Sequence, residues 1–354
     1  MTSMNMTPIM IKTSSIENKI AAKPSIRYSN IELLRIVAML LIMFGHFYLR
    51  IHPLPDSGDI INSPLSSFLD VILNCFATIG VSVFIAISGW FGIRFKKQGL
   101  SKYLFQVFFI LWLVYVIALI RQTADINING IKISLCFYSG YWFVLGYLGL
   151  YLISPLLNSF IDYATKKELH FVLLSYFFFQ SYVSWLSGWY NYYNGYSIIL
   201  FAGIYLSSAY FRKYPIKWVE NNAPLLFFTT IISMAIIVYF SMMIFGFAGR
   251  QLRDDNPLAI FSSIMLVITF KKMKFQTKFV NWLAASCFSV YLIHYSPFVY
   301  PYIMQLMNNI YMNFDGLLFG LVFLTSLMLI YVFCTMIDQI RVLNWKLIQY
   351  ILGK

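Results

Sequence analysis

Ten stretches of this chain are each about as apolar, and most about as long, as a helix that crosses a lipid bilayer, and that property removes most folds from consideration. A helix needs about 20 apolar residues to span the hydrocarbon core. The stretches lie near residues 31–50, 68–92, 102–121, 139–160, 169–187, 196–211, 223–247, 257–270, 279–300 and 316–337. Hydrocarbon offers no partner to backbone N–H and C=O groups, so a spanning segment satisfies them internally, as a helix does. The expected fold is all-α, a polytopic transmembrane helical bundle of about ten spans. The sixth and eighth stretches are short and read as tilted or broken helices. With 60% hydrophobic and 11% charged residues, the chain is far from the balance of a soluble domain.

The formal charge of +13 reports topology rather than a nucleic-acid partner, and none is expected. Twenty of the 26 Lys and Arg residues fall on one side of the alternating spans: in the N-terminal tail, around Arg94–Lys102, at Lys166 and Lys167, around Arg212–Lys217, around Lys271–Lys278, and in Arg341, Lys346 and Lys354. Five fall on the other side, namely Arg50, Arg121, Lys132, Arg250 and Arg253. Cytoplasmic loops carry the excess of basic residues, so both termini are expected in the cytoplasm. Residues 1–28 read as a mobile polar tail, 29–340 as the transmembrane domain and 341–354 as a short cytoplasmic C-terminal end. The first stretch is too long for a cleavable signal peptide and is followed by no small-residue cleavage pattern. Cys75, Cys136, Cys287 and Cys334 stand singly, without metal spacing, and read as packing residues. No metal site and no Gly-rich phosphate loop is evident, so the chemistry must occur within or beside the membrane.

The polar residues inside the spans narrow that chemistry. The stretch IELLRIVAMLLIMFGHF carries Arg35 and His46. A charged residue at mid-membrane costs about 2.5 kcal/mol or more, so one that persists faces a bundle interior or a watery cavity. Eleven residues at about 100° each bring Arg35 and His46 onto one helix face, roughly 16 Å apart along the axis, and Glu32 joins the stripe one turn earlier. His294, in SVYLIHYSPF, lies at a similar depth in the ninth span. It either flanks the same cavity or is a buried, hydrogen-bonded ring. The second span ends in GVSVFIAISGWFGIRFKK, which carries Ser88, Gly89 and Arg94 toward the side of Arg35. Gly89 permits close backbone approach. Arg94 reads either as a snorkelling anchor or, with Arg35, as a phosphate ligand at a cytoplasmic mouth. Trp185, Trp189, Tyr190, Tyr192 and Tyr193 read as an interfacial aromatic belt or a sugar-stacking platform. Arg250, Arg253, Asp254 and Asp255 form either a solvated loop or a hydroxyl-binding cluster. Asp162 and Asp338 read as salt-bridge partners near cytoplasmic ends.

Four short patterns in order give the chain a family resemblance. RIVAMLLIMFGH, with ten residues between Arg35 and His46, FIAISG with Phe84, Ser88 and Gly89, YWFVLGYLGLYLISPLLN with Trp142, Phe143 and Pro155, and YLIH ending at His294 resemble the membrane-bound acyltransferase-3 family. The resemblance covers nearly all of the chain after the tail. It implies O-acyl transfer, usually of acetyl, from cytoplasmic acyl-CoA to a hydroxyl of a surface or lipid-linked polysaccharide in a bacterial cell membrane, with no resident cofactor. It makes His46 the essential catalytic residue, with Arg35. On that reading Glu32, Ser88 and Arg94 serve the acyl-CoA side, and His294, Trp142 and Arg250 the acceptor side. The other partners are membrane lipid and polysaccharide-assembly proteins. The chain is expected to be a stand-alone version, without the extracytoplasmic domain that some members carry. General-base catalysis and an acyl-histidine intermediate stay open, and so do an exporter of glycans or lipid-linked sugars and a scaffold subunit, neither of which would consume the thioester.

Overall fold

The computed structural model describes residues 28–187 and 197–352, and among them every regular element is helical. The proposed tail with Lys12, Lys19, Lys23 and Arg27, the aromatic residues Trp189, Tyr190, Tyr192 and Tyr193, and Lys354 lie outside these residues. In chain order the helices are α1 (Ser29–Ile51), α2 (Ser57–Asn62), α3 (Pro64–Thr78), α4 (Gly80–Phe91), α5 (Lys97–Ile120), α6 (Ile128–Ser134), α7 (Trp142–Tyr163) and α8 (Lys166–Gln180). They continue with α9 (Ile198–Lys213), α10 (Lys217–Phe245), α11 (Pro257–Lys271), α12 (Lys278–Ala285), α13 (Cys287–His294), α14 (Tyr300–Asn313) and α15 (Gly316–Ile351).

Among the described residues, each of the ten apolar stretches is helical, and six helical segments are long and apolar enough to cross a membrane. The sixth and eighth stretches, read as short, are single helices, α9 and α11. The breaks fall elsewhere: the second stretch divides at Ile79 into α3 and α4, and the ninth divides at Ser286 into α12 and α13. The fifth ends in a π-helical turn at Ser181–Leu186. The last helix continues past residue 337 to Ile351. Arg341, read as the start of a short cytoplasmic C-terminal end, lies within this helix, and it is buried.

Local chemistry sets the ends. Asn256 caps α11 by accepting the Leu258 N–H, and Pro257 at its first turn needs no hydrogen-bond partner. Thr165 and Glu168 form a capping box at α8, and the hydrogen bonds from the Thr165 N–H and hydroxyl hold the Glu168 carboxyl below its usual pKa. Gly246 stops α10 by taking a left-handed conformation, φ 73°. Inside α7, Pro155 has no N–H to offer the Tyr151 carbonyl, and the Ser154 hydroxyl takes its place at 2.7 Å.

Helix α1 is the axis of the molecule and packs against α3, α4, α11, α12, α13, α14 and α15. On one side Ile31, Leu34 and Ala38 join a cluster drawn largely from α4, α9, α10 and α11. On the other, Ile36, Met39, Met43 and Phe47 join one drawn largely from α5, α13, α14 and α15. Polar ties gather the helix ends at the starting end of α1. The Ser29 hydroxyl reaches Gln276 and Asn281, Asn30 donates to the Phe270 carbonyl, and Lys271 pairs with Glu220 at 2.9 Å. The loop between α4 and α5, which carries Arg94, is tied to α7 by Asn158, whose side-chain amide donates to the Ile93 carbonyl.

Helix association in lipid relies on close packing, for which small residues are suited. A Cβ on Gly80 would lie 2.7 Å from Ile42 Cγ1 of α1, and one on Gly89 would lie 2.7 Å from Tyr205 Cα of α9. Backbone cannot yield as a side chain can, so Gly89→Val must separate α4 from α9. The expected cost is about 1–3 kcal/mol. It is measured as a lower unfolding temperature and lower monodisperse yield in detergent, with Gly320→Val, where no atom stands within 4 Å, as the neutral control.

Candidate functional site

The starting end of α1 opens into two adjoining cavities. The first, about 280 Å³, is lined by Glu32, Arg35, Met39 and Ile42 of α1, Phe84 and Ser88 of α4, Tyr103 and Gln106 of α5, Phe143 and Tyr147 of α7, and Ala284, Ala285, Cys287, Phe288 and Tyr291. The second, about 400 Å³, shares Arg35, Ser88, Tyr103, Gln106 and Tyr147 with it and adds Arg94, Gly99, Lys102 and Tyr151. Together they run from a basic mouth into the bundle. Arg35 donates to Glu32 at 2.7 Å, and the two side chains are 37% and 7% exposed, so both line the first cavity but the cation is the more open of the two and alone continues into the second. Ser88 donates to its own helix at the Phe84 carbonyl and meets the Tyr147 hydroxyl at 3.3 Å.

The inner end of this space is formed by Ile42 and Tyr291, and His46 stands one turn beyond Ile42 on α1. His46 lines neither cavity. It meets His294 instead, Nδ1 to Nε2 at 3.0 Å, and the Tyr295 ring stacks on it at 4.1 Å. Tyr300 donates to the His46 carbonyl at 2.9 Å. Tyr291, whose hydroxyl donates to the Gly140 carbonyl, lines the first cavity and also contacts the rings of His294 and of Tyr295, which stacks on His46.

The hydrogen bonds set the tautomers of this pair. His294 Nδ1 lies 2.7 Å from the Val290 carbonyl, which can only accept, so Nδ1 of His294 carries the proton. Its Nε2 is then the acceptor in the neutral ring, and His46 Nδ1 must supply the proton between them. What remains is His46 Nε2 with its lone pair available, the state of a general base oriented from behind.

A second polar cluster fastens the far end of α1. Tyr48 donates to Asp70 at 2.8 Å, and His52 meets the other carboxylate oxygen at 3.0 Å. The hydrogen bond to Asp70 raises the His52 pKa above its usual value.

The sequence-derived candidates divide. Arg35, Glu32, Ser88 and Arg94 share the basic cavities, while His46 and His294 share the pair above them. Trp142 packs on Phe143 and Phe201, outside both cavities. The Arg250 guanidinium donates to the Trp185 and Leu186 carbonyls, and the Trp185 indole donates to the Arg250 carbonyl, so this arginine fastens the turn after α10 to the π-helical turn that follows α8. The neighbouring loop is not a solvated one: Asp255 is buried and paired with Arg253 at 2.7 Å. Asp338 pairs with Arg341 inside the bundle. The sequence reading passed over Gln106, Tyr147, Tyr291 and Tyr295. Gln106 did carry a signal, being a lone amide in the apolar run YLFQVFFILW.

Among the described residues, a helical bundle with six segments long and apolar enough to cross a membrane, a basic internal cavity and a buried imidazole pair has the architecture of an integral membrane protein. The profile of the acyltransferase-3 family, described as an acyltransferase domain, matches residues 28–338, and the chain belongs to that family. It is a membrane acyltransferase. No curated protein matches the chain, and no solved structure does.

The tautomer assignment is open to measurement. Nitrogen-15 spectra of histidine-labelled protein near neutral pH should show His46 and His294 both as Nδ1–H tautomers. Replacing His294 with Ala should release His46 into a mixture of the two.

Proposed function

We propose that the protein is an O-acyltransferase that moves an acyl group, acetyl in the simplest case, from cytoplasmic acyl-CoA to a hydroxyl of a surface or lipid-linked polysaccharide at a bacterial plasma membrane. The observation that carries this reading is the division of labour along α1: Arg35 opens into the basic cavity, and His46 stands farther along the same helix with its Nδ1 committed to His294. The topology proposed with it has ten spans, the end of the bundle holding Arg94 and Lys102 in the cytoplasm, and both termini there. The asymmetry of the basic residues supports that orientation.

Coenzyme A is polyanionic and cannot enter hydrocarbon, so its phosphates stay at the mouth, near Arg94, Lys102 and Arg35. Arg suits that task because its planar fork makes paired, charge-assisted hydrogen bonds to phosphate. The pantetheine arm extends through the cavity and carries the thioester toward Ile42 and Tyr291. Turning of the Tyr291 ring joins this space to the histidine pair. The acceptor hydroxyl arrives from the opposite side. His46 Nε2 takes its proton, the oxygen attacks the thioester carbonyl, and the C–S bond breaks. The departing thiolate takes the proton back from His46, and the enzyme returns to its starting state. His294 holds the ring and stabilises the imidazolium formed between the two proton transfers. Nothing in this cycle requires a resident cofactor, and Trp142 and Arg250 are given no contact with substrate.

In purified protein reconstituted with its glycan acceptor, His46→Ala should lower kcat by about 10²- to 10⁴-fold with donor binding retained. Ester formation on the glycan is followed by mass spectrometry and by its loss in mild base. Undiminished esterification at normal protein levels would remove His46 from the reaction. Arg35→Ala should raise the KM for acetyl-CoA about tenfold or more, the worth of a hydrogen bond to a charged group, with a smaller effect on kcat. A protein that exports glycan without consuming thioester would show neither effect.

A further inference from the structure

Asp338 and Arg341 lie one helical turn apart on α15, with side chains 0% and 4% exposed. Arg341 Nε donates to one carboxylate oxygen at 2.6 Å, and its Nη2 donates to the other at 2.7 Å. The same Asp338 oxygen that meets Nε also accepts the Ser289 hydroxyl at 2.6 Å. A hydroxyl has one proton, and an ionised carboxylate can only accept, so the Ser289 proton is committed to Asp338. Ser289 Oγ must then accept from its third neighbour, Gln106 Nε2, at 2.7 Å. This order of donors and acceptors fixes the orientation of the Gln106 amide. Its Oε1 accepts from no described residue, and Gln106 lines both cavities.

Gln106 stands one turn along α5 from Lys102, which lines the basic mouth. With phosphates held at the mouth, the middle of an extended donor arm passes here, about 6 Å farther in. Much of the wall beyond is apolar, with Met39, Ile42, Phe84, Phe143 and Phe288. An N–H drawn from water into such a space costs free energy unless it meets an acceptor.

We propose that Gln106 Oε1 is the binding subsite for an amide N–H of the donor's arm, set in place by the buried Asp338 acting through Ser289. This inference rests on reading the basic cavities as the donor site. Gln106 touches the donor, while Ser289 and Asp338 are positioning residues. A donor whose arm lacks the N–H leaves Oε1 unpaired and is selected against, so the relay contributes specificity for the pantetheine class of thioester.

The experiment compares acetyl-CoA with two analogues in which one amide N–H at a time is replaced by an ester oxygen, using the full chain in lipid nanodiscs. In the wild-type protein one analogue should show a KM about three- to tenfold higher than acetyl-CoA, the worth of one hydrogen bond, with kcat unchanged. Gln106→Leu should raise the KM of acetyl-CoA by that factor and abolish the discrimination. Ser289→Ala frees the amide to turn and should give a partial loss, which Ser289→Thr restores. Equal KM values for all three donors in the wild-type protein, or discrimination that survives in Gln106→Leu, would overturn the proposal. Absence of any turnover of acetyl-CoA by the wild-type protein with its acceptor would overturn the donor-site reading itself, whereas turnover without discrimination removes only the subsite.

Discussion

A polar side chain placed among hydrocarbon must be given a partner, and in this protein the partners are what bring particular helices together. His46 on α1 needs something for its ring nitrogen, and His294 on α13 supplies it at 3.0 Å. Ser289, also on α13, is tied to Asp338 on α15 and to Gln106 on α5. Each of these bonds would be weak in water, where the groups have other partners. Inside the bundle an unmade bond carries its full desolvation cost, so the set acts as a specification of neighbours. The apolar surfaces of these helices could not choose among partners in the same way, because lipid tails satisfy them as well as protein does.

The site depends on how α1 is held between two packed halves. On one side, glycines let α4 approach both α1 and α9 at backbone distance. On the other, α13 and α15 present the buried polar relay. The cavities open where the two halves meet on the Arg35 face, with cations and hydroxyls toward the mouth and a largely apolar, aromatic wall farther in. The break at Ser286 allows α13 to set His294 beside His46, while α12 returns to the Ser29 end. A long uninterrupted helix could not aim both of its halves independently.

Residues grouped by side of the membrane in the sequence prove to have different duties. Arg94 and Arg35 line the cavities, but Arg250 binds the carbonyls of Trp185 and Leu186, and Trp142 packs against Phe143 and Phe201. Arg341 has the composition of a terminal topological anchor and the environment of a core residue. Spacing along one helix predicted the shared stripe of Glu32, Arg35 and His46 because a helix has a fixed period. It offered no access to Gln106, whose importance arises from what stands opposite it on other helices.

What the sequence determined by itself was therefore local and periodic: helices throughout, the apolar stretches, the stripe on α1 and the family to which the chain belongs. These follow from bond geometry and from the demand that a backbone in lipid satisfy itself, and both can be read within one segment. Which helices are neighbours was decided by the tertiary structure, since any apolar helix face can lie against any other or against lipid. The pairing of His46 with His294, the burial of Arg341 and the direction in which Gln106 points are properties of contacts between segments far apart in the chain. They depend on three-dimensional proximity, which no spacing along a single helix encodes.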